Sequence, residues 1–94
     1  MTVAIVMEFD GGTLEQYDQV IQKMGFEPHG PGAPDAQFHW VAKTPDGLLI
    51  TDVWDSPEAF QAFADTQIGP ITAEFGLNPP KLTFHDVHNY LTGG

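Results

Sequence analysis

Residues 37–55 read QFHWVAKTPDGLLITDVWD, two runs rich in β-branched and aromatic residues around Thr44-Pro-Asp-Gly47. Proline presets the first turn position and glycine takes positions closed to other residues, so the stretch reads as a β-hairpin. A three-residue loop, with Gly47 in a left-handed bulge position, pairs Thr44 with Leu48. Ala42 then lies opposite Ile50, Trp40 opposite Asp52, and Phe38 opposite Trp54. Those six residues share one face, and His39, Val41 and Thr51 take the other.

Upstream, TVAIVMEFD at residues 2–10 is apolar on both faces, as a central strand is. Gly11-Gly12 breaks it, and Thr13 with Gln16 forms a capping box for a helix. Leu14, Tyr17, Ile21 and Met24 make its apolar stripe, and Gly25 stops it. Residues 25–36 hold too much glycine and proline for regular structure and form a long loop. Downstream, Ser56-Pro57 opens a second helix as N-cap and first-turn proline, with Phe60, Phe63 and Ala64 on its buried side. Gly69-Pro70 kinks or restarts that helix. Asn78-Pro-Pro80 ends it, and KLTFHDVHNYL at residues 81–91 is a fourth strand.

The order strand, helix, strand, strand, helix, strand gives an α+β fold. With right-handed crossovers it is the ferredoxin-like βαββαβ sandwich, a four-stranded antiparallel sheet with helices on one face. The 94 residues are expected to form a single domain spanning 1–94. Large apolar groups on both sheet faces would leave an exposed patch, so a homodimer through the open face is expected.

Composition narrows the partners. Three lysines, no arginine and thirteen acidic residues give a net charge of −10. A polyanion would be repelled, and the bidentate clamp for phosphate or carboxylate is missing, so neither nucleic acid nor an anionic membrane is expected. There is no cysteine, which excludes thiolate chemistry and fits a reducing compartment. The apolar start is too short for a membrane span and lacks a basic flank or cleavage site, so a cytoplasmic location is expected.

TDVWDSPEAFQAFADTQIGP at residues 51–70 resembles the strand-to-helix segment of the dimeric α/β-barrel superfamily, the antibiotic biosynthesis monooxygenases, in small members of actinobacterial type. The likeness extends over nearly the whole chain by element order and is sharpest over residues 53–63. It implies a homodimeric α/β barrel and, for Trp54, a place in the wall of a ligand cavity. The heme-degrading branch carries an iron-ligating histidine on the helix after that tryptophan, and residues 57–76 contain none. A branch resembling polyketide cyclases carries a histidine on the first strand, which is also absent. The branch left compatible is the cofactor-free oxygenases, so no cofactor is expected.

Two sets of residues could carry chemistry. In the first, Trp40 and Trp54 flank Asp52, with Phe60 and Phe63 delivered by the next helix. This is an aromatic-walled pocket between sheet and helices whose carboxylate could remove a proton. In the second, Phe84, Asp86, His88 and Tyr90 share one face of the last strand, with His88 as base oriented by Asp86. His85 falls on the other face, three residues from His88, so the two cannot chelate one metal ion and no metal is expected. His29 lies in the long loop, and His39 reads as an interface or rim residue. The expected function is a cofactor-independent monooxygenase-like enzyme acting on a small aromatic or polyketide-like substrate. The alternatives are a non-catalytic dimeric binding protein for a small hydrophobic ligand, and a structural dimer whose pocket is filled by side chains.

Overall fold

The computed structural model describes residues 1–93 and runs β1 (Val3–Asp10), α1 (Leu14–Met24), β2 (Ala36–Thr44), β3 (Gly47–Trp54), α2 (Pro57–Phe63), a π-helical turn (Ala64–Ile68), α3 (Gly69–Glu74) and β4 (Lys81–Asp86). All pairings are antiparallel, in the order β2-β3-β1-β4. This is the ferredoxin-like α+β fold that the element order predicts.

The punctuation behaves as its chemistry dictates. Thr13 and Gln16 close a reciprocal capping box on α1, and Gly25 ends it at φ 90°. The Ser56 hydroxyl accepts from the Ala59 N–H, with Pro57 in the first turn of α2. Pro70 offers no N–H to the turn before it. The helix widens there into the π turn, and Gly69 N–H reaches back to the Ala64 carbonyl. On α1, Val20 is the buried residue, while Leu14 lies exposed at the first turn.

The core sits between the sheet and the helices. Val3, Ile5, Met7 and Phe9 of β1 meet Leu48, Ile50 and Trp54 of β3, with Val20, Phe60 and Leu77 packed over them. Phe60 is fully buried, and excluding such a side chain from water contributes about 1.5–3 kcal/mol.

The hairpin differs from the sequence expectation by one residue. Thr44 pairs with Gly47, so the loop is the two residues Pro45 and Asp46. Val41 therefore faces Ile50, His39 faces Asp52, and Trp40 faces Thr51. Since side chains alternate, the slip exchanges the faces of β2. His39 and Val41 join Leu48, Ile50, Asp52 and Trp54 on the helix side, and Phe38, Trp40 and Ala42 move to the open side. A bulge at Gln37 absorbs the remaining offset, and its side chain reaches the Asp55 carboxylate.

The role of Gly47 changes as well. It is not among the glycines with positive φ. A Cβ there would stand 2.0 Å from the Phe9 carbonyl oxygen and 2.8 Å from the Gly11 nitrogen. Glycine is required because β1 runs against it, and the Gly11 N–H bond to the Asp46 carbonyl, 2.7 Å, fastens the same turn.

β4 is shorter than its sequence suggests. It ends at Asp86, and one further bond, Val87 N–H to the Thr2 carbonyl, precedes the departure of the tail. His88 and Tyr90 thus lie beyond the strand rather than on a face shared with Phe84 and Asp86.

Candidate functional site

Four polar groups line up on the helix side of the β2–β3 half. Asp52 lies on β3, directly across from His39 on β2. Its side chain is 6% exposed, and both carboxylate oxygens are engaged: Oδ1 with His39 Nδ1 at 2.5 Å, Oδ2 with Trp54 Nε1–H at 3.0 Å. Trp54 follows Asp52 by two residues, so strand alternation brings its indole N–H over the carboxylate. A buried carboxylate is costly unless its lone pairs are satisfied, and among the described residues no buried side-chain polar atom lacks a partner.

The chain of bonds continues through His39. A carboxylate only accepts, so Nδ1 carries the hydrogen that Asp52 receives, and in that tautomer Nε2 is an acceptor. The Tyr17 hydroxyl from α1 lies 2.5 Å from that nitrogen and donates to it, the two rings being nearly parallel at 10°. Burial above all, then the charges of Asp52 and Asp18, push the Tyr17 hydroxyl up to about 12, keeping it protonated.

These groups open on a cavity of about 700 Å³ between the inner sheet face, α1, residues 26–33 and the helical segment. Val41, Leu48, Ile50, Trp54, Phe63 and Ile68 give it apolar walls, and Tyr17, His39 and Asp52 its polar seam. His29 contributes from the loop at φ 61°, the only non-glycine described residue with positive φ. No lysine or arginine lines it.

The residues singled out from sequence fall in different places. Asp52, Trp54 and Phe63 line the cavity, with Trp54 and Phe63 in ring contact at 5.2 Å. Phe60 stands behind Trp54, edge to face at 5.8 Å, and props it without reaching the cavity. Phe84 packs edge-on against Phe60 at 5.6 Å, on the far side from the cavity. Trp40 borders the rim from edge strand β2, but the corrected register turns its side chain to the open face. Asp86 is exposed at the end of β4, and His88 and Tyr90 are exposed beyond it. The site expected around His88 and Asp86 is therefore not assembled against Trp54. His85 pairs with Ala4 on the open face. Among the described residues no three His, Asp or Glu side chains gather as a metal site.

Sequence reasoning missed His39 and Tyr17. His39 was put on the wrong face by the three-residue loop, and Tyr17 was read only as part of an apolar stripe. The signal for His39 was that a two-residue loop sets it directly across from Asp52.

No protein-family model matches this chain, and no curated protein matches it. Among solved structures it is similar to one from Chloroflexus aurantiacus J-10-fl, provisionally assigned as an antibiotic biosynthesis monooxygenase. The TM-score is 0.64 at 21% identity, covering 99% of this chain and 100% of that one. The likeness extends over β1 to β4 and fixes the fold.

Proposed function

We propose that the chain is a monooxygenase-like enzyme without a resident cofactor, acting on a small aromatic or polyketide-like substrate in the cavity beside Trp54. The observation that carries this reading is the Asp52–His39 pair, 2.5 Å apart, at the edge of a largely apolar cavity. Such a dyad is an oriented general base, with the carboxylate holding the ring in one tautomer and stabilising the imidazolium once it forms. The apolar walls hold a flat ring system and keep water from the anion.

The reaction that fits is oxidation of an activated methylene to a ketone. His39 receives a proton from the substrate, and the carbanion transfers electrons to dioxygen. One oxygen atom enters the product as the carbonyl and the other leaves as water, so a CH2 group and O2 give C=O and H2O. A cavity without lysine or arginine suits an uncharged substrate better than a phosphate or coenzyme ester.

A second copy of the chain would cover the open face, where Ala4, Val6, Leu49 and Val53 accompany Phe38 and Trp40, the last two 50% and 39% exposed. A stable pair of that kind buries roughly 800 Å² per partner. Among the described residues no helix is long and apolar enough to cross a membrane, and a chain without cysteine suits the reducing cytoplasm.

Oxygen uptake with an anthrone-type phenol tests the reaction. Wild type should consume oxygen above background and His39→Gln should lose about 10²–10⁴ of that rate. Absence of uptake by wild type overturns it. Binding of the phenol without uptake would instead describe a carrier.

A further inference from the structure

The Asp52–His39 pair does not meet the cavity contents directly. Its outward nitrogen, His39 Nε2, is already taken by the Tyr17 hydroxyl. Tyr17 also borders the cavity, so a proton travelling from a ligand to His39 passes through its hydroxyl. Tyr17 is not itself the base, since its environment holds it neutral up to about pH 12. It can, however, accept a proton on its oxygen while releasing its own to His39.

The electrical setting selects what can use that path. The charged and titratable groups around the relay are Asp18 on α1, Glu27 and His29 in the loop, and Asp52 on β3. The lining thus holds three carboxyl groups and no lysine or arginine to balance them. A ligand that arrives as an anion adds uncompensated charge. A ligand that arrives neutral and ionises in place adds none, because its proton stays on His39 beside Asp52. Only O–H and N–H bonds change: the ligand O–H breaks, Tyr17 exchanges one hydrogen for another, and His39 Nε2–H forms.

We infer that the cavity is an ionising site for aromatic hydroxyl compounds and enols, which enter neutral, pass a proton through Tyr17 to His39, and remain as an oxyanion held by the Tyr17 hydroxyl. Ligands with a permanent negative charge are rejected. This deepens the proposed function, resting on its reading of the cavity and dyad, but does not need reaction with oxygen.

The test is spectroscopic and anaerobic. para-Nitrophenol is added to the intact protein about one pH unit below the dye's own pKa, where about a tenth is ionised in solution; the bound dye should show the phenolate band for more than half of its population. Tyr17→Phe keeps the ring packing and should bind the dye as neutral phenol. If that variant loses the dye altogether, His39→Gln decides, since it leaves the Tyr17 wall in place and should also hold the dye neutral. para-Nitrobenzoate, of the same shape but permanently anionic, should fail to displace the dye. The inference is overturned if wild type does not bind the dye or binds it neutral. It is equally overturned if His39→Gln keeps the phenolate band, or if the benzoate competes as well as the phenol. A phenolate band without oxygen uptake sinks the oxygenase reading alone; oxygen uptake with a neutral bound dye sinks the relay alone.

Discussion

Both edges of the sheet carry an aspartate, a histidine and aromatic rings, and the two sets have different fates. At the β2 edge, Asp52 and His39 come from adjacent strands and meet across one rung of the ladder, under α1 and the long loop. At the β4 edge, Asp86 and His88 are two residues apart in the chain, but the strand ends between them. The first aspartate is buried with both oxygens bonded, and the second is exposed. Neighbours in sequence at a strand end are separated by solvent, whereas neighbours across a covered ladder are held together by the sheet. A dyad is built by register and burial, not by spacing in the chain.

The contrast can be broken most decisively at the histidines. His39→Gln should lower oxygen uptake by about 10²–10⁴, while His88→Gln leaves it unchanged; equal losses would mean the β4 edge belongs to the site after all. Packing comes next. Phe60 is fully buried, and Phe60→Ala should cost about 3–5 kcal/mol in urea unfolding. Phe84, still 42% exposed, should cost distinctly less when cut to alanine; the reverse order would show that the β4 edge is the better-packed half. At the carboxylates, Asp52→Asn replaces an acceptor of two bonds by an amide that cannot serve both His39 and Trp54, and should cost about 1–3 kcal/mol. Asp86→Asn should stay within about 0.5 kcal/mol.

The smallest effect is a titration. Tyr17 is raised above its ordinary value of 10 to about 12, with burial the leading cause. The folded chain then keeps a proton that the unfolded chain gives up, so this contribution to stability is complete below pH 10 and fades as pH rises through 12. Absorbance titration should show one late-ionising tyrosine that Tyr17→Phe removes. Asp52→Asn should bring Tyr17 part of the way back, because burial would remain.

Much of the architecture was legible because it rests on local chemistry. The Thr13–Gln16 box, Gly25, and Ser56 with Pro57 mark helix ends by which backbone groups need partners. The order of apolar runs then leaves few ways to stack them. The site was less legible because it depends on parity. Thr44-Pro-Asp-Gly47 accommodates a loop of two residues or of three, and that single count decides whether His39 or Trp40 faces Asp52. What chooses between them is the close approach of β1 to Gly47, a contact between residues 38 positions apart that no local pattern encodes. Tyr17 was hidden differently: its ring obeys the helical stripe, and only the tertiary placement of α1 shows where its hydroxyl points. His88 was misplaced because the residues after Asp86 look like strand but have only Thr2 left to pair with.

The glycine wedged under the Phe9 carbonyl also bears on how this protein could change over generations. With the start of β3 clamped there, the hairpin loop is where β2 can be re-indexed cheaply. A one-residue slip of β2 that set Lys43 opposite Gly47 would export His39 and import Phe38 and Trp40, trading a polar lining for an aromatic one. The same slip would strip two large rings from the open face. The lining of the cavity and the makeup of the open face are thus tied to one register, and a single slip alters both.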